Sequence, residues 1–325
     1  MKRFSLPPIA AGMAALMLMG GCAASGEGRS PLPAAPTPTA TPAVTPAPTP
    51  APTPSIAFLD TIYYDRANFY SGVGGACDYE VEGSLVAGMI PHHLLASDMI
   101  AGFFKAAAKQ PAYDGILIVS PSHFPENTTS MAVTAKAGWS TPMGTVQPYT
   151  ELIDKLLADK VLGAENNPAA VELDHGGAGL VPFVKYYFPD TPLAVCLLQG
   201  KLPRERIAAF WEIVGEQRKE ANILVVSSAD CSHYLLPREA AGHDEETIKA
   251  IESGAQEAIF FFDDENIDSP QSVNTFIEVT KQAGARAVQL DHSSSDKKLP
   301  HNILNPIFSE GTTTYLVYAG VVKAP

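Results

Sequence analysis

The chain has 325 residues, a formal charge of −13 and 46% apolar residues. That is enough apolar sequence for one large core or two ordinary ones, and the acidic balance excludes nucleic-acid binding, which needs clustered lysine and arginine to displace counterions. Four cysteines, Cys22, Cys77, Cys196 and Cys231, show no paired spacing, so neither a disulfide framework nor a CxxC zinc site is expected.

Lys2 and Arg3 precede an apolar run, Ala10 to Met19, that is too short to span a bilayer as a mature helix. Met19-Gly20-Gly21-Cys22 then matches a lipoprotein processing site, with Met19 in the place of the usual leucine. Residues 1–21 therefore read as a lipoprotein signal peptide and Cys22 as the lipidation site. A membrane-anchored, extracytoplasmic protein follows; an ordinary cleaved leader with a chance cysteine is the alternative. Residues 22–55 are expected to be the lipidated N-terminus and an extended spacer, since 31–54 are almost entirely Pro, Thr and Ala. The folded part is then 56–325.

Residues 58–82 read as irregular, and their glycines lack the Lys-Ser/Thr that completes a phosphate loop. From Leu85 the pattern alternates. Apolar runs at 85–90, 116–120, 193–198 and 223–228 predict buried strands. Met131 to Ala135 predicts a weaker strand and 138–148 a turn-rich loop. Helices are expected at 94–110, 149–162, 179–188, 203–218, 239–252 and 270–282, with strands at 285–290 and 313–322. The fold class is α/β: a single domain with a central mixed, largely parallel sheet flanked by helices on both faces.

Three of the strands run into histidine: Ile90-Pro91-His92, Ser120-Pro121-Ser122-His123, and Ser228 through Asp230-Cys231-Ser232-His233. Ligands of open α/β sheets bind outside the carboxyl ends of the strands. His92, His123 and His233 converging there would make a metal or acid/base site, with iron, copper, zinc and nickel all compatible with imidazole. His175, beside Asp174, could orient a ligand or move a proton, and could equally cap the next helix. His93 reads as following its neighbour into a loop, His243 as solvated, and His292 and His301 as flanking a polar loop. A catalytic Cys231–His233 pair is disfavoured because adjacent loop positions seldom face each other.

Pro91-His92, Ser120 to His123, Thr141-Pro142-Met143-Gly144, His175 followed by Leu180 to Phe183, Ser227 to Tyr234 and Tyr315 to Gly320 come in an order and spacing that resembles the Memo family. This is the protein B component of the AmmeMemoRadiSam system, and the likeness spans roughly residues 84–323. The resemblance implies a fold like that of class III extradiol dioxygenases, which hold non-haem Fe(II) with two histidines and a carboxylate. It makes His92 and His123 metal ligands, His233 an acid/base and Asp230 its acidic neighbour; His175, from its own loop context, stands beside them as a second proton-transfer group. The family's pocket cysteine, known with copper or iron, falls on Asp268 when counted back from Gly284. Asp268 before Ser269-Pro270 also reads as a helix N-cap, so the third ligand is Asp268 or His233. The implied cofactor is Fe(II) or copper, with zinc open. A small-molecule substrate is implied but not identified, and the family's cytosolic radical-SAM partner does not suit a protein outside the cell. His93-Leu94-Leu95 stands where the family has Ala-Gly-Tyr. The readings that remain are a metal-dependent oxidoreductase, a metal-binding or scaffold lipoprotein without turnover, and a metal-assisted hydrolase.

Overall fold

A computed structural model describes residues 56–299 and 311–323, all within one compact unit, Pro54–Pro325. The leader, Cys22, the spacer and His301 lie outside the described residues. Twelve strands are described: β1 (Ala57–Asp60), β2 (Ser84–Ile90), β3 (Gly115–Pro121), β4 (Ala132–Thr134), β5 (Ala137–Thr141), β6 (Gly144–Val146), β7 (Glu165–Asn166), β8 (Leu193–Leu198), β9 (Ile223–Ser228), β10 (Cys231–Leu235), β11 (Arg286–Ser294) and β12 (Thr312–Val322).

Nine of these strands form the main sheet, in the order β10-β12-β2-β9-β3-β8-β4-β7, with β11 also paired to β12. The sheet is mixed. Its centre, β2-β9-β3-β8, is parallel, whereas β12 runs antiparallel to β2, β10 and β11, and β4 antiparallel to β8. The expected parallel bias thus holds for the middle of the sheet and for the β4–β7 edge pair, and gives way to antiparallel pairing around β12 and between β8 and β4. Parallel strands covered on both faces carry continuous apolar runs, and every residue of β3 is buried.

Alternation along each strand divides the core. Ile116 and Ile118 join Met99, Phe103, Val181 and Phe183 on one face, under helices Ser97–Ala107 and Val181–Tyr187. Leu117 and Val119 join Leu152, Phe210 and Phe276 on the other, under helices Thr150–Ala158, Arg204–Glu220 and Pro270–Gln282. Helices on both faces leave the carboxyl ends of β2, β3 and β9 side by side at one rim of the sheet.

Several segments differ from the sequence expectation, among them β10 and a short helix, Pro168–Leu173. Residues 58–82 contain β1 and a helix, Arg66–Gly74, whose first turn is capped by Asp65 accepting from the Asn68 N–H. Residues 138–148 hold a hairpin, β5 and β6, that pairs with β1 in a separate three-stranded sheet. His292 lies in β11, not in a loop, because β11 follows the buried β12 to Ser294 and that pairing overrides the polar composition. Among the described residues no helix is long and apolar enough to cross a membrane.

Candidate metal centre

His92 sits two residues past β2, buried, with its backbone N–H donating to Asp230 Oδ1 at 3.1 Å. Its ring Nδ1 lies 3.0 Å from Ser228 Oγ. The Ser228 hydroxyl donates its single hydrogen to the Gly176 carbonyl at 2.6 Å, so toward His92 it can only accept. Nδ1 therefore carries the hydrogen of the neutral ring, and the Nε2 lone pair faces the cleft.

His123, two residues past β3, is fixed in the same sense by a carboxylate. Its backbone N–H donates to Asp174 Oδ2 at 2.7 Å and its Nδ1 to Asp174 Oδ1 at 2.8 Å. Asp174 is buried and also accepts the Gly176 N–H. A carboxylate behind a histidine that presents Nε2 fixes the tautomer and raises ligand basicity. The close fit needs a glycine at 176: a Cβ there would lie 2.5 Å from Ser120 Oγ and 2.9 Å from His123 Cε1.

Asp268 reaches the same point from the opposite side. An isolated bridge between Cys231 and Ile267 ties its segment to the start of β10. The Asp268 N–H donates to the Asp230 carbonyl, and the Asp230 N–H donates to Asp268 Oδ1. Its other oxygen, Oδ2, is buried without a hydrogen-bond partner. Three Nε2 atoms face it: His92 at 3.2 Å, His123 at 3.7 Å and His233 at 3.9 Å. The N-cap of helix Pro270–Gln282 is Ser269, so the cap role expected for Asp268 is corrected. The chain turns into the helix one residue later, which leaves Asp268 to the cleft.

His233 owes its position to a bulge. Cys231 pairs with Thr314 and Leu235 with Thr312, so four steps of β10 oppose two of β12. The excess is taken up by Ser232 and Tyr234, at φ of 37° and 57°. Such bulges re-aim a side chain at the cost of local strain. His175 stacks on His123, with ring centroids 3.8 Å apart and planes at 26°. Asp230 caps the backbone N–H groups of His92 and His93 and places Oδ2 3.5 Å from His92 Nε2.

Electrostatics tie these groups together. Burial pulls the His92 ring down, but the Asp230 and Asp268 carboxylates outweigh it and hold its pKa above the usual value. Burial also opposes the proton on His123, yet Asp174 and Asp268 raise its pKa to about 10. Burial raises Asp268, and the imidazoles of His92 and His123 more than reverse that, keeping it ionised well below the carboxylate range. His175 is pushed down to about 4 by burial and then by its neighbours His123 and His92. A cation held among these groups would compete with the proton that His123 binds tightly.

The residues fit a metal ion. His92, His123 and His175, or His92, Asp230 and Asp268, each offer donor atoms within 4.8 Å of one another. The fit rests on the orphaned Asp268 Oδ2 and on two histidines whose other nitrogens are already committed. The cleft, about 580 Å³, is lined by these groups and by His93, Ser122, Tyr234, Asp264 and Thr313. Cys231 is fully buried and does not line the cleft, and burial pushes its thiol up, away from the reactive thiolate.

The structure brings together all six site residues expected from the sequence: His92, His123, His175, Asp230, His233 and Asp268. It adds Asp174 and Ser228, whose part in holding the His123 and His92 rings the sequence did not disclose. Asp174 adjoins His175, but nothing local shows that its carboxylate turns back to His123. Replacing one Asp174 oxygen by an amide would set a donor against the His123 N–H. Asp174→Asn is therefore expected to lower metal affinity about 10–100-fold, measured by competition with a chelator of known affinity.

The sequence model of the Memo-like protein family matches residues 84–302. A MEMO1 family protein of Caldivirga maquilingensis is 24% identical over 216 residues, 64% of this chain and 75% of the relative. One from Pyrobaculum arsenaticum is 26% identical over 220 residues, 65% and 76% of the two chains. Among solved structures, an uncharacterized protein from Escherichia coli K12 aligns over 72% of this chain and 99% of its own, with 14% identity and a TM-score of 0.45.

Proposed function

Since this chain belongs to the Memo family, we propose that its strand-end cleft is a redox-metal site of the two-histidine, one-carboxylate kind and that the protein is a metal-dependent, dioxygenase-like oxidoreductase. The observation that supports it is Asp268 Oδ2, buried, unpartnered and faced by three imidazole nitrogens. His92, His123 and Asp268 would hold the ion. Two imidazoles and a carboxylate with open positions favour Fe(II). With Cys231 outside the cleft lining, a soft-metal preference lacks its ligand there. Copper is the second choice, since Fe(II) is harder to keep reduced outside a cell.

Bound there, the ion supplies one-electron chemistry with oxygen. Around it, Asp174 and Ser228 keep two Nε2 lone pairs aimed inward. His233, held by the bulge at the cleft wall, serves as the proton-transfer group, with Asp230 fixing the loop that carries it. His175 stays neutral at physiological pH; it orients and stacks and does not store a proton. The reading extends to location: 1–21 as signal peptide, a lipid on Cys22 and the 22–55 spacer would display the 56–325 domain outside the membrane.

The test is metal loading under nitrogen followed by exposure to oxygen. The proposal expects Fe(II) to bind stoichiometrically and its spectrum to change on oxygenation, more slowly in His233→Ala. Bound iron inert to oxygen would leave a metal-binding protein without turnover. A site that takes zinc and leaves Fe(II) in solution would favour a hydrolase, in which the ion lowers the pKa of bound water.

A further inference from the structure

His93 departs from the expectation that it merely follows His92 into the loop. It lines the cleft, and its ring is fixed on two sides. Its backbone N–H donates to Asp230 Oδ1, and its Nδ1 lies 2.7 Å from the hydroxyl of Tyr315, a side chain of β12 that is fully buried. The two rings meet edge to face, with centroids 5.7 Å apart.

Among the described residues the hydrogen bond made by the Tyr315 hydroxyl is the one to His93 Nδ1, so no second acceptor takes the phenol hydrogen. Burial, with Asp230 and Asp296 nearby, keeps the Tyr315 phenol protonated far above neutral pH. Its hydrogen therefore goes to His93 Nδ1. An Nδ1 that accepts leaves Nε2, at the opposite edge of the ring, as the nitrogen carrying hydrogen. Nε2 has no hydrogen-bond partner among the described residues, and with Nδ1 on the buried Tyr315 it is the ring nitrogen left to a residue that lines the cleft.

We propose that His93 is a substrate-recognition residue, held by Tyr315 as a positioning residue, and that it donates a hydrogen bond from Nε2 to an oxygen of a small-molecule ligand beside the metal ligands. The inference rests on the cleft being the ligand site proposed above. It also names the substrate class: a molecule whose oxygen is offered to the wall formed by His93 and Thr313. A site built to donate to an oxygen discriminates against analogues that lack it, because its own donor is then left unpaired.

The experiment has two arms on the purified protein. In the metal-free protein, the nitrogen–proton correlations of the His93 ring are expected to show hydrogen on Nε2 and none on Nδ1; hydrogen on Nδ1 overturns the assignment. In protein loaded with zinc as a redox-silent ion, acetohydroxamate is the probe and its affinity is measured by calorimetry. His93→Ala is expected to weaken the probe about five- to tenfold with zinc content unchanged. His93→Gln should recover part of that loss, and Tyr315→Phe should fall between. Equal probe affinity in wild type and His93→Ala overturns the proposal. If the wild type holds no zinc, the calorimetry is run on protein loaded with whichever of Fe(II) or Cu(II) it holds; if it holds none of the three, the metal reading fails on its own and the first arm judges His93.

Discussion

Asp268→Ala is expected to lower metal affinity by more than the roughly 10–100-fold that follows loss of a group behind a ligand, and to leave the following helix intact. The two halves of that result separate the roles its sequence allows. An N-cap lost to alanine costs about 0.5–2 kcal/mol of helix stability and would loosen the first turn of Pro270–Gln282. Here the N-cap is Ser269, so amide hydrogen exchange in that turn should match the wild type. The variant removes the one oxygen that faces His92, His123 and His233. Retained affinity with a frayed helix would return Asp268 to a capping role.

The metal-free protein should be most stable near pH 6.5 and lose stability in both directions. His123 has a folded pKa near 10 against about 6.5 unfolded. The folded state then binds the proton more tightly, and that contribution is complete below about pH 6.5 and lost as the pH rises toward 10. His175 has the opposite sign. Its folded pKa near 4 means the unfolded chain binds the extra proton between about 4 and 6.5, so stability climbs with pH across that window. The alkaline loss should amount to a few kcal/mol, at about 1.4 kcal/mol for each tenfold difference in proton affinity between the folded and unfolded chain, less the part that solvent screens. Metal reverses the trend, because it competes with the same protons. The difference in melting temperature between loaded and free protein should therefore widen from pH 6 to 9. A metal-free stability that is flat or rising over pH 6.5–10 would contradict the charge arrangement.

What could be read from the sequence was the scaffold and the histidines. Ile116 to Val119 and Ile223 to Val226 are unbroken apolar runs because central parallel strands are covered on both faces, and the residues after such strands face a common rim. The groups that orient His92 and His123 were much less visible. Ser228 ends β9 and Asp174 starts a four-residue helical turn, and neither position shows which distant ring it touches. Asp268 was ambiguous because Asp-Ser-Pro permits two helix starts one residue apart. β10 escaped notice because its positive φ angles at Ser232 and Tyr234 break the two-residue alternation that marks a strand. That irregularity, invisible to pattern, is what places His233.

The central claim is that His92 and His123, presented by Ser228 and Asp174, hold a metal ion together with Asp268. The most direct measurement is the metal content of the purified protein, wild type against His92→Ala/His123→Ala, after equilibration with Fe(II), Cu(II) and Zn(II) and removal of free ions. Stoichiometric metal in the wild type and none in a folded double variant is the predicted result. Equal metal in both proteins, or none in the wild type with any of the three ions, would contradict it.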